Sequence, residues 1–156
     1  MPTITVGQNS YVDLIAADTH FDARLHAASW TNASDDTKEK ALLMACLILD
    51  RHIVWNGSKA FPDQPLEWPR IGLSWVTAGT VPPSVKTAQM ELALVLIDRD
   101  TLALNALAGM SEVKVDTLSI KVSPGDRTKP IPDHILDMIR AYGQRAGGLT
   151  SLTLTR

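Results

Sequence analysis

Hydrophobic positions recur at helical spacing in four stretches of this chain and alternate with polar ones in two. Ser10, with Asp13 three residues on, reads as the N-cap of a first helix over Tyr11 to about Leu25, whose apolar face is Leu14, Ala17, Phe21 and Leu25. A second helix follows Ser34. Asp35 and Asp36 stand where the helix dipole favours carboxylates, and the helix continues to about His52. Within it Ala41–Leu49 is apolar on every side, which predicts a central helix contacted all round. Val54–Pro83 breaks the pattern: five of the nine prolines and three of the four tryptophans fall there, together with Asn56-Gly57, Gly72 and Gly79. That composition predicts a long loop held by aromatic anchors.

Pro82-Pro83 opens a third helix through Val85, Ala88, Leu92 and Val95, extending as far as Leu107. Val113–Val122 alternates as a short hairpin turning at Asp116-Thr117, and Ser123–Pro130 is a polar loop. A fourth helix runs from Pro132 to Tyr142, with Ile135, Met138, Ile139 and Tyr142 on one face and Gly143 past its end. Gly147-Gly148 then reads as a hinge, and Ser151–Thr155 alternates strictly, as a segment that adds a strand to another protein or as a frayed terminus. The expected fold is mainly α: a four-helix bundle-like domain over residues 1–142, with a Trp/Pro-rich loop, a small hairpin and a C-terminal arm over 143–156.

Composition changes this picture little. The 156 residues fit one domain, and 45% hydrophobic with 21% charged side chains is ordinary globular usage. The net charge of −2 lacks the basic excess of a dedicated nucleic-acid binder. Charge is uneven, however. Residues 1–50 carry seven acids against three bases, while Arg140, Arg145 and Arg156 face no acid at the other end. A single cysteine, Cys46, excludes an internal disulfide and reads as a buried thiol. The opening MPTITVGQNS has no basic segment leading into an apolar run, and Ala41–Leu49 is too short to span a bilayer. The expectation is a cytoplasmic site of synthesis and assembly.

Candidate chemistry is sparse. Asp18, His20 and Asp22 lie two apart, so on a helix they diverge and read as solvated residues rather than metal ligands. Ser111 lacks the second glycine of a nucleophile elbow, and no phosphate-binding glycine loop is present. No enzyme, cofactor or metal is expected. Arg51, Trp55, Lys59, Trp68, Arg70 and Trp75 instead mix cations with flat rings. Such a set suits a stacking platform for single strands, a protein interface, or simple packing of the long loop.

The same residues carry a resemblance. Asn9-Ser10-Tyr11-Val12, Ala17, Phe21, Trp30, the helix from Lys40-Ala41-Leu42 to Leu49-Asp50, and Gly57-Ser58-Lys59 lead to its most distinctive string, Gln64-Pro65-Leu66-Glu67-Trp68-Pro69-Arg70 with Gly72. Val81-Pro82, Val85-Lys86, Ala88, Glu91-Leu92-Ala93 and Ile131-Pro132 follow, so that about residues 9–140 are covered. This chain resembles the head-tail adaptor (head-completion) proteins of long-tailed phages, which also carry the label of DnaT-like single-stranded-DNA-binding proteins. It departs from them at Thr117, where glycine is usual, and at Val122, where an aromatic is usual.

The resemblance implies a structural connector in the virion neck, a ring of about twelve copies around the DNA channel. The ring would sit between the portal protein and a tail-side stopper or tail terminator. By that analogy Arg145, Leu149, Ser151, Leu152, Thr153, Leu154, Thr155 and Arg156 form a portal-binding arm. Trp55, Trp68, Arg70 and Trp75 anchor the loop or an interface, and Lys114, Lys121, Arg127 and Lys129 face the lumen or the tail. The alternative is single-stranded-DNA binding in phage replication.

Overall fold

The computed structural model describes residues 2–103, 112–115, 118–121 and 129–147, the strands at 112–115 and 118–121 by their backbone alone. Helix α1 spans Leu14–Asp22, and its cap is Asp13, whose carboxylate accepts from the Ala16 amide at 2.8 Å. Ser10, the expected cap, is fully buried. Its hydroxyl accepts from Gln89 Nε2 at 2.7 Å, and the Tyr11 amide donates to Gln89 Oε1 at 3.0 Å. The segment before α1 is thus pinned to a distant helix, and α1 starts later than its apolar spacing predicts. It also ends earlier, at Asp22, leaving Leu25 82% exposed outside the expected face.

Helix α2, Ala28–Asn32, is a single turn that the sequence pattern did not mark. It buries Trp30 against Phe21, with ring centroids 4.5 Å apart. The Trp30 indole donates to Asp18 at 2.8 Å, and Lys38 binds the same carboxylate at 2.9 Å while lying over the Trp30 ring. Asp18 therefore ties α1 and α2 to the next helix. Helix α3, Asp35–His52, is capped by Ser34, which accepts from the Thr37 amide; it places Asp35 and Asp36 in its first turn and Arg51 and His52 in its last. Both ends complement the helix dipole.

Strand β1, Ile53–Trp55, follows α3 directly; β2, Ser58–Lys59, and β3, Arg70–Ile71, then form a two-residue ladder. Helix α4, Pro83–Asp98, buries Val85 and the unbroken run Ala88–Leu94. It, rather than α3, is the helix contacted all round: α3 leaves Leu47 48% exposed and Leu43 and Met44 half-buried. Helix α4 stops short of Leu107. Arg99 turns extended while its amide still reaches Val95 O, and the Asp100 carboxylate takes the Leu102 amide in an Asx turn. Glu91, buried on α4, receives both His20 (2.9 Å) and Arg24 (2.8 Å), holding α1 down.

Strands β4, Glu112–Val115, and β5, Leu118–Lys121, pair antiparallel, as the alternation predicts. Helix α5 is shorter than expected, Asp133–Ile139, and buries Ile135 and Ile139. Strand β6, Gly143–Arg145, returns antiparallel to β1, with Trp55 opposite Gly143 and Ile53 opposite Arg145. A Cβ on Gly143 would stand 2.7 Å from Ile53 Cγ2 and 2.8 Å from Val54 O, so only glycine lets the strands close. The described chain is helix-rich, with five helices and small two-stranded sheets. α3 packs chiefly on α4, and α2 and α5 also pack on α4. Two long helices and three short ones do not confirm a four-helix bundle.

Candidate nucleic-acid interface

The excursion between α3 and α4 is built outward from buried anchors. Trp55 (6% exposed) and Trp68 (1%) meet edge to face with centroids 5.6 Å apart, and Tyr142 meets Trp68 the same way at 5.8 Å. Arg70, also buried, is enclosed by carbonyls. Its Nε donates to Asn56 O at 2.8 Å, Nη2 to Gly57 O at 2.8 Å, and Nη1 to Glu67 O at 3.1 Å and Oε2 at 2.7 Å. Gly57 is held at φ +74, and a Cβ there would collide with Ile71 O. Trp55, Trp68 and Arg70 therefore pack the loop; of the three readings open in sequence, these residues take the third.

A second set of bonds fastens the loop to α3. The Tyr11 hydroxyl donates to Asp50 Oδ1 at 2.5 Å and accepts from the Trp68 amide at 3.3 Å, while the Glu67 amide donates to Asp50 Oδ2 at 3.1 Å. Burial holds the Asp50 carboxyl above the usual carboxylate range, against the pull of these two donors. Burial, then the neighbouring Asp50 charge, pushes both the Tyr11 hydroxyl and the Cys46 thiol up, so Cys46 stays a neutral buried thiol. Lys59 pairs with Glu67 at 3.2 Å.

What this frame presents to solvent differs from the expected set. Among the eight aromatic side chains, only Trp75 (63%) and Phe61 (62%) are exposed. Phe61 sits on a turn stapled by Gln64, whose Oε1 takes the Phe61 amide at 3.0 Å and whose Nε2 donates to Leu66 O and Pro69 O. Trp75 sits on the Leu73–Val76 turn, anchored by buried Leu73. Phe61 was not singled out in sequence; the available signal was an aromatic between Ala60 and Pro62, outside any periodic stretch. Arg51 is exposed at the end of α3 with no ion-pair partner among the described residues. Beside it a cleft of about 550 Å³ lies between α3, the Pro65–Glu67 segment and the Gln8-Asn9 turn.

The remaining candidates fall elsewhere. Arg145, assigned in sequence to a portal-binding arm, stands in β6 and donates to Ile131 O at 2.9 Å and to Asp133 at 3.2 Å, so the domain itself holds it. Lys129 pairs with the same Asp133 at 2.6 Å. That hydrogen bond, foremost, holds the exposed Asp133 carboxyl below the usual range. Lys114 and Lys121 lie on β4 and β5, with Lys121 opposite Glu112 and Lys114 opposite Ser119 in register. Arg127, Leu149 and Ser151 to Arg156 lie outside the described residues. Asp18 and His20 are taken by Trp30, Lys38 and Glu91. Among the described residues no group of three or more His, Cys, Asp or Glu could hold a metal, and no helix is long and apolar enough to cross a membrane.

The described surface is that of a helix-rich domain presenting two solvent-facing rings on anchored turns and, at the end of α3, a cation with no ion-pair partner among the described residues. A family model described as "Putative DnaT-like ssDNA binding protein" matches residues 2–156, and the chain belongs to that family. No curated protein and no solved structure gives a significant match. The family match corrects the connector expected from sequence. The family is described by single-stranded DNA, not by a portal, a tail or a ring, and its match takes in the tail that was assigned to portal binding.

Proposed function

We propose that the protein is a non-catalytic binder of single-stranded DNA acting in replication, with bases stacking on Trp75 and Phe61. Family membership over almost the whole chain supplies the ligand class. The observation that carries the reading is the exposure of these two rings, 63% and 62%, on turns whose backbones are held by side-chain and buried contacts. Leaving a large ring in water on a fixed mount has no packing rationale, whereas every nucleobase offers a π-face to meet it. Arg51, exposed and with no ion-pair partner among the described residues, is available to a phosphate. The near-neutral charge of −2 counts toward modest affinity rather than against binding, since stacking does not depend on net charge.

Tryptophan fluorescence tests this cleanly. Trp30, Trp55 and Trp68 are buried, so quenching on titration with an oligo-dT of about twelve nucleotides reports Trp75. We expect quenching at low salt, and about tenfold weaker binding for Trp75→Ala and for Phe61→Ala. No quenching and no gel retardation at low salt would reject the reading.

A further inference from the structure

Resting on that reading, we infer that the cleft beside Arg51 is a base-selective pocket that takes the amino edge of a cytosine or adenine from the bound strand. Part of its lining is apolar: Leu43 and Leu47 from α3, and Pro65 and Leu66 from the excursion. Leu47 is 48% exposed, which is unusual for a leucine flanked on α3 by Cys46 and Ile48, each 1% exposed. Apolar side chains with an open side suit a flat ring better than a hydrated ion.

The polar groups in the cleft decide what kind of ring. Two carboxylates line it, Asp50 and Glu67, and they are not equivalent. Glu67 is neutralised by Lys59 at 3.2 Å and Arg70 at 2.7 Å. Asp50 has no ion-pair partner among the described residues, Lys59 acting on it only from a distance; each of its oxygens accepts one neutral donor, the Tyr11 hydroxyl or the Glu67 amide. An ionised carboxylate can accept about four hydrogen bonds, so acceptor capacity remains in the cleft. An incoming phosphate would meet this acid, which disfavours the strand's backbone beside it. An exocyclic amine would satisfy it, as in the pairing of Asp or Glu with cytosine N4. Gln8, on the exposed turn at the other wall, carries a side-chain amide with no partner among the described residues. It can donate to the ring nitrogen beside that amine, a position that is an acceptor in cytosine and adenine and a donor in thymine. Arg51 lines the same cleft, where it can meet the flanking phosphate.

The cleft is also placed to receive such a base. Its Pro65–Glu67 wall directly continues the Gln64-stapled turn that mounts Phe61. The Phe61 mount and this wall of the cleft are thus consecutive along the chain.

The test is fluorescence anisotropy with labelled dC, dA and dT oligonucleotides of about twelve nucleotides, comparing the wild type with Leu47→Trp and Gln8→Ala. Leu47 is partly exposed, so the larger ring fills the cleft from outside; Gln8→Ala lies on a surface turn and leaves the helices untouched. The wild type is expected to bind dC and dA at least about fivefold tighter than dT. Both variants should lose that preference while keeping dT affinity within about twofold. Wild-type binding to all three oligonucleotides without preference, or a preference that survives both substitutions, overturns the pocket and leaves the stacking surface standing. Binding to none of them overturns the DNA reading and the pocket together. Saturation by free arginine or lysine in place of oligonucleotide would make the cleft a site for a cationic peptide, and would equally overturn the inference.

Discussion

At the scale of single residues, the chain assigns opposite tasks to side chains of the same type. Trp68 and Trp75 are seven positions apart, yet one is 1% and the other 63% exposed. Trp75→Ala should therefore change stability by less than about 0.5 kcal/mol while weakening DNA binding. Arg70 is the converse case. Its planar fork serves carbonyls of Trp55, Asn56, Gly57 and Glu67 at once, a geometry that a lysine ammonium does not reproduce. Arg70→Lys should cost about 2–4 kcal/mol in urea unfolding, because it strands buried carbonyls. A variant as stable as the wild type would show that the carbonyls find other donors.

Asp50 gives a prediction with a definite sign. Its folded-state pKa lies above its ordinary value because burial disfavours the charge, so the folded chain holds the proton more tightly than the unfolded one. The stability this contributes is complete below the ordinary range, near pH 4, and is lost as pH rises through the raised value. Relative to Asp50→Asn, which does not titrate, the wild type should lose ground steadily across that window. Urea midpoints for the two proteins at a series of pH values would check this, and a difference that widened in favour of the wild type would contradict it.

At the scale of elements, what was legible was local and what was hidden was long-range. Ser34 with Asp35 and Asp36, and Pro82-Pro83, mark the starts of α3 and α4 because a cap acts within one turn. The alternation of Val113–Val122 likewise marked β4 and β5, which run one residue earlier, at Glu112–Val115 and Leu118–Lys121. Ser10 misled because its hydroxyl is claimed by Gln89, 79 residues further on, and the true cap is Asp13. Arg70 and Trp68 were recognisable as important residue types, but the carbonyl cage and buried ring contacts that make them anchors arise only on folding. Phe61 carried no pattern at all, since exposure on a turn leaves no periodicity. The tail divided in the same way: Gly143–Arg145 read as the start of an arm but pairs with β1. Gly143→Ala tests how firmly that pairing is set. The added methyl must displace Ile53 or Val54 O, an overpacking that should cost about 1–3 kcal/mol. It should also speed hydrogen exchange at the Ala146 amide, which donates to His52 O at 2.8 Å just beyond the ladder. Unchanged exchange there would mean that the turn is held independently of the strand pair.

At the scale of the whole molecule, the distribution of charge sets how DNA can be held. Most cations in the described residues are already committed to acids: Lys38 to Asp18, Lys40 to Asp36, Lys59 and Arg70 to Glu67, and Lys129 and Arg145 to Asp133. A pair broken to reach a phosphate exposes its acid to the same strand, so these cations add little net attraction. Arg51 and a few others remain, set in a chain of net charge −2. If two or three phosphates are neutralised, single-strand affinity should fall with salt along a log–log slope of about −1.4 to −2. Stacking on Phe61 and Trp75 would supply the rest and persist at higher salt. A slope steeper than about −4 would mean that the strand is gripped mainly by cations such as Lys114, Lys121, Arg127 and Arg156, and that the aromatic turns are not the principal surface. Repeating the titration with Arg51→Gln separates the cases: loss of one phosphate contact should make the slope shallower by about 0.7, with the Trp75 quench retained at saturation.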